Sequence, residues 1–176
     1  MKNVILCGFM GCGKSTVGRA YARLVHARFI DMDWYLEEKN HMKITQIFEQ
    51  YGESVFRRME TECARELSAQ NGLVIAAGGG TLLYPQNIDA LKQNGIIVLL
   101  DVPLAALQER LRRDTRRPLL QKPNREQVIN ELYHQRLPLY RQAADITIPA
   151  GAPVSIVARR IQGALQKNPG IIGRKK

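Results

Sequence analysis

Gly8-Phe9-Met10-Gly11-Cys12-Gly13-Lys14-Ser15 follows directly on the apolar run Val4-Ile5-Leu6-Cys7 and leads straight into Thr16-Val17-Gly18-Arg19-Ala20-Tyr21. The octet satisfies G-x-x-x-x-G-K-[ST] at every fixed position. Upstream, Asn3 to Cys7 reads as a short buried strand, because its apolar run is continuous and stops at Gly8. Downstream, Val17, Ala20, Tyr21 and Leu24 share one face at helical spacing. A glycine-rich turn between a strand and a helix lets successive backbone N–H groups point at phosphate oxygens. The positive end of the helix faces the same anion. Lys14 brings a point charge to the β- and γ-phosphates, and the Ser15 hydroxyl reaches Mg²⁺. The stretch therefore predicts a bound nucleoside triphosphate, ATP with Mg²⁺, held by Gly11, Cys12, Gly13, Lys14, Ser15 and Thr16. Cys12 reads as a small residue that fits the loop.

Working outward, Phe29 and Ile30 lead to Asp31 as a strand end would, and Ile44 to Gln70 reads as helical with an interruption near Gly52. Leu73 to Ala77 is an apolar strand ending in three glycines. Pro85 to Gln93 reads as a helix, with proline suited to its first turn and Gly95 beyond its end. Ile96 to Leu100 is another strand, followed by Pro103 and a helix through Arg112. Arg125 to Ala143 has a helical pattern in which Pro138 predicts a kink. Ile146 to Ile148 is a last strand and Val154 to Leu165 a last helix. Strands alternating with helices predict an α/β fold with a parallel sheet covered on both faces. Ligands then sit at the carboxyl ends of the strands, where Gly8, Asp31, Gly78 and Asp101 all fall.

The 176 residues suffice for one sizeable core, and 45% apolar with 24% charged residues is ordinary for a soluble globular chain. The longest apolar stretches fall far short of a membrane span. Lys2 and the short apolar run after it stop too early for an export signal. The three cysteines, Cys7, Cys12 and Cys63, form no C-x-x-C pair, so reduced thiols in a cytoplasm are expected. A net charge of +10 attracts polyanions. Aromatic content of 6%, with no RNA-binding signature and no zinc-finger spacing, argues instead for arginines gathered around smaller anions, and no nucleic-acid partner is expected.

No N-K-x-D guanine reader is present, which favours a small kinase over a GTP-driven switch. Asp31 and Asp33 lie two apart at a strand end, so in a continuing extended run both project to one side; a helix N-cap at Asp33 is the other reading. Arg57 and Glu60, one helical turn apart, can face each other, either as an arginine held for a carboxylate or as an ordinary surface pair. Gly78, Gly79 and Gly80 let a ligand approach the backbone. Arg113, Arg116 and Arg117 form a basic segment, either a mobile lid over the γ-phosphate or a solvated charge run.

Together these residues resemble the shikimate kinase family. The resemblance runs nearly the whole chain in order: the phosphate loop, D-x-D at Asp31 and Asp33, F-R-x-x-E at Phe56 to Glu60, G-G-G at Gly78 to Gly80, R-P-L-L at Arg117 to Leu120, and R-x-x-x-Y at Arg136 to Tyr140. It implies a P-loop NTPase-type three-layer fold with a central, mostly five-stranded parallel sheet. A single kinase domain would span 1–168, with a substrate-binding segment at about 31–61, a lid at about 112–124 and a basic tail at 169–176. It also implies transfer of the γ-phosphoryl group of ATP to the 3-hydroxyl of shikimate, on the route to chorismate and the aromatic amino acids, by a cytoplasmic monomer.

The roles follow from the matching positions. Asp33 would bind ring hydroxyls and serve catalysis as a base; Arg57, Arg136 and the Gly79–Gly80 backbone would hold the shikimate carboxylate, with Gly78 also at the substrate and Glu60 orienting Arg57. Phe48 and Phe56 would line the apolar wall. Asp31 and Ser15 would support Mg²⁺, Lys14 and Arg117 the transferred phosphoryl group, and Arg110 and Pro153 the adenine. The chain departs from the family at Pro149-Ala150-Gly151-Ala152-Pro153, which is apolar and slightly short where relatives carry a polar, arginine-bearing loop.

Overall fold

Five strands, β1 (Asn3–Cys7), β2 (Arg28–Asp31), β3 (Leu73–Ala76), β4 (Gly95–Asp101) and β5 (Ile146–Pro149), form one parallel sheet in the order β2-β3-β1-β4-β5. The computed structural model describes residues 1–112 and 124–168. The arginines of the proposed lid, Arg113, Arg116 and Arg117, and the basic tail therefore lie outside the described residues. The helices among those residues are α1 (Lys14–Leu24), α2 (Met32–Asn40), α3 (Ile44–Ser68), α4 (Pro85–Gln93), α5 (Leu104–Leu111), α6 (Arg125–Ala143) and α7 (Val154–Lys167).

Every residue of β1 and β3 is buried, as is every residue of β4 before Asp101. Central strands can be this uniformly apolar only when helices cover both faces. On one layer α1 packs against α7, and α3 packs against α4 elsewhere. Gly18 permits the tight seat of α1 on the sheet: a Cβ there would stand 2.4 Å from the Phe29 ring.

The helix starts differ from expectation by two residues at α1, which begins at Lys14 because Gly13 already caps it with φ 99°. A larger difference concerns α2. Asp31 is the last strand residue and the N-cap of α2, and its carboxylate accepts from the Asp33 N–H at 3.2 Å. The extended run therefore does not continue through Asp33, which sits in the first helical turn. The short loop before α3 is held by Glu37, whose carboxylate accepts from the Ile44 N–H at 3.1 Å and from Lys43 at 2.7 Å. Helix α6 remains one helix across Pro138. Among the described residues, no helix is long and apolar enough to cross a membrane.

Candidate active site

A cleft of about 860 Å³ opens at the carboxyl ends of the strands. The phosphate loop and the start of α1 form one wall with Gly11, Gly13, Lys14, Ser15 and Thr16; Asp31 and Asp33 form the floor, and Ala77 and Gly79 the far side. Lys14 Nζ donates to the carbonyl oxygens of Gly8 at 2.8 Å and Phe9 at 3.3 Å, so its ammonium lies in the curl of the loop. Cys12 is 1% exposed and packs beneath the loop as a small apolar residue. Ser15 Oγ donates to Asp31 Oδ2 at 2.5 Å. A hydroxyl and a carboxylate so close together are oxygen donors of the kind that Mg²⁺ takes. Arg110, on α5, lies across the loop with Nη1 3.3 Å from the Gly11 carbonyl oxygen.

A second cluster of predicted site residues is built around the triple glycine. Arg57 Nη1 donates to Glu60 Oε2 at 2.6 Å, and its Nη2 donates to Glu53 at 2.9 Å. Burial works against its charge, but the hydrogen bonds and attraction from Glu60 and Glu53 outweigh it and raise its pKa above the ordinary arginine value. The guanidinium also lies 5.2 Å from the Phe56 ring centroid and 5.3 Å from that of Tyr84. Arg57 and Glu60 are thus no ordinary surface pair, since Glu60 is only 1% exposed.

A Cβ on Gly80 would stand 2.6 Å from Arg57 Nη1, and one on Gly78 would stand 2.6 Å from Asp33 Oδ1. Gly79 faces open space, with nothing within 4 Å of where its Cβ would be. Tyr140 donates to the Gly79 carbonyl oxygen at 2.6 Å, and Arg136 lies one helical turn before it on α6. Burial pushes the Tyr140 pKa up to about 12 against the opposing pull of Arg136. Arg57 therefore ends on the glycine turn, and Tyr140, four residues after Arg136, is bonded to it. The Phe48 and Phe56 rings meet at 4.7 Å across the interruption of α3 at Gly52.

Arg57, Glu60, Arg136, Phe48 and Phe56 stand behind the residues that line the cleft, and Pro153 lies at the start of α7. It is the exposed N-cap of α7 and does not line the cleft among the described residues. Asp101 pairs with Arg141 at 3.1 Å and serves structure. Sequence reasoning missed Met10, Glu37, Lys43 and Ile44, which also line the cleft. It also missed Tyr84 and Glu53 around Arg57. Of these, only Glu53, four residues before Arg57, had a spacing that signals a partner.

A family model described as shikimate kinase matches residues 10–166. The chain belongs to the shikimate kinase family. The shikimate kinase of Aromatoleum aromaticum is 46% identical over 165 residues, covering 93% of this chain and 94% of that protein. Among solved structures, shikimate kinase from Acinetobacter baumannii in complex with shikimate is 40% identical with a TM-score of 0.89, covering 96% of this chain and 94% of that one. Shikimate kinase from Aquifex aeolicus is 34% identical with a TM-score of 0.83, covering 95% and 98%. These shikimate kinases share the P-loop NTPase-type sheet that carries the cleft, with the phosphate loop following its middle strand.

Proposed function

We propose that this chain transfers the γ-phosphoryl group of ATP to the 3-hydroxyl of shikimate, giving shikimate 3-phosphate and ADP. The observation that carries the reading is the Arg57 guanidinium seated against Gly80, with Arg136 one helical turn before the Tyr140 that bonds Gly79, on a glycine turn that lines the same cleft as the phosphate loop. A carboxylated ring alcohol fits this pairing, since a guanidinium fork matches a carboxylate in plane. Membership of the shikimate kinase family supports the same acceptor.

The transition state of phosphoryl transfer is loose, so alignment and charge stabilisation account for most of the catalysis. Lys14 and the loop N–H groups hold the phosphate oxygens, and Arg110 lies where it can cover the base. Ser15 and Asp31 would hold Mg²⁺, which would supply charge neutralisation for the transferring phosphates. Asp33 accepts the proton of the attacking hydroxyl and aims its oxygen at the γ-phosphorus. As the new P–O bond forms, the bond to ADP breaks and the electron pair leaves on the ADP oxygen. Phe48 and Phe56 supply the apolar wall against the ring, and Arg117 is proposed to close over the phosphates from the lid.

An ADP-release assay across shikimate, quinate, gluconate and nucleoside monophosphates tests the reading. Strong preference for shikimate is expected, and activity confined to another acceptor would overturn it.

A further inference from the structure

We propose that Thr81 is a positioning residue for acceptor binding, its hydroxyl fixing the Glu60 carboxylate and, through it, the Arg57 guanidinium against Gly80. The inference rests on the acceptor reading above and extends it to a residue with no contact to the cleft. The two oxygens of Glu60 have separate partners. Oε2 accepts from Arg57 at 2.6 Å, while Oε1 accepts from Thr81 Oγ1 at 2.7 Å.

A carboxylate held by arginine alone can turn about its side-chain bonds and carry the guanidinium with it. The second hydrogen bond removes that freedom. Burial adds weight, because Glu60 is 1% exposed and Thr81 fully buried, where a carboxylate oxygen with no donor is costly.

Thr81 is itself held. Its N–H donates to the Gly78 carbonyl oxygen at 3.2 Å, and its own carbonyl oxygen accepts from Asn87 Nδ2 at 2.9 Å. Asn87 Oδ1 in turn accepts from Thr61 Oγ1 at 2.7 Å, one residue beyond Glu60 on α3. The turn that follows the triple glycine is thus bolted to the helix carrying Arg57 by the buried Glu60, Thr81 and Asn87 and the half-buried Thr61. The missing side chain of Gly78 makes room for this arrangement. A Cβ there would lie 2.6 Å from Asp33 Oδ1, 2.8 Å from Thr81 Oγ1 and 3.1 Å from Glu60 Oε1. The residue proposed to meet the acceptor hydroxyl and the pair proposed to meet its carboxylate therefore gather at one point, with the Thr81 hydroxyl among them.

Thr81→Val keeps the shape and removes the donor, and Thr81→Ser keeps the donor. With the full-length chain, Thr81→Val is expected to raise the KM for shikimate by about ten- to a hundredfold, as for loss of a hydrogen bond to a charged group. The KM for ATP and kcat stay unchanged, and Thr81→Ser restores the shikimate KM. An unchanged shikimate KM, equal losses for both substrates, or no rescue by serine would overturn the inference. Should Thr81→Val fail to fold, Thr81→Cys, of similar size and a poor donor, is expected to show the same selective loss, and a normal KM there would overturn it equally. NMR order parameters of the Arg57 Nε–H separate this inference from the proposed function. They should fall in the valine or cysteine variant whichever acceptor the unaltered chain phosphorylates.

Discussion

Ser15 Oγ and Asp31 Oδ2 lie 2.5 Å apart, tying the start of α1 to the end of β2 across the floor of the cleft. On the proposed mechanism this pair is the protein's hold on Mg²⁺. Asp31→Asn keeps the shape and removes the charge. It is expected to raise the Mg²⁺ concentration for half-maximal ADP release by about ten- to a hundredfold, with the shikimate KM little altered. A Mg²⁺ titration at saturating substrates checks this.

Arg57→Ala should weaken shikimate binding far more than ATP binding. Truncating one partner of a desolvated charge contact costs about 2–5 kcal/mol, which means a loss of roughly thirtyfold or more. Calorimetric titration with each ligand reads the difference, and equal losses would contradict the assigned role.

Glu60→Ala removes the main partner of a half-buried guanidinium and strands the Thr81 hydroxyl. Because Arg57 keeps Glu53, the loss of stability belongs at the low end for a broken buried pair, about 3 kcal/mol. Urea denaturation of the variant against the parent measures it.

The three glycines should respond unequally to alanine. Gly78→Ala forces Asp33, Thr81 or Glu60 to shift, and Gly80→Ala pushes on Arg57, so both lose stability and activity together. Gly79→Ala meets nothing within 4 Å and should leave the melting temperature intact while raising the shikimate KM, because its methyl group enters the cleft. Thermal melts paired with kinetics distinguish the two patterns.

Burial pushes the thiols of Cys7 and Cys63 up to about 12 from their ordinary 9. The unfolded chain loses these protons near pH 9, while the folded chain retains them. Above pH 9 the folded state therefore binds more protons, and stability should fall as pH rises from about 9 towards 12. Below pH 9 the two thiols contribute no slope. Denaturation curves at pH 8, 9 and 10 test the sign, and native protein at pH 8 should resist thiol reagents at both positions.

Much of this site was legible in the sequence because its parts obey local rules. The phosphate loop has a fixed spacing, Arg57 and Glu60 sit one turn apart, and Pro85–Gln93 and Arg125–Ala143 are helices at the bounds that their patterns predicted. What stayed hidden has no local period. Helix α2 buries only Met32 and Leu36, while Trp34 is 57% exposed, so its apolar residues do not line up on one face. Its start at Met32 was further masked by Asp31, which serves as strand end and helix cap at once. The link from Thr61 through Asn87 and Thr81 to Glu60 joins residues more than twenty positions apart, and no spacing in the chain announces it.

Gly52 interrupts α3 with φ 79° and ψ 171°, and nothing lies within 4 Å of where a side chain would begin. Ile44 and Phe48 stand on the stretch before it, Arg57 and Glu60 on the stretch after it. Part of the acceptor pocket's contour thus belongs to one length of backbone, while Phe56 and the electrical grip belong to the other. Remodelling residues 44–51 for a ring alcohol of another outline can proceed without redesigning the grip, which gives enzyme engineers a place to begin.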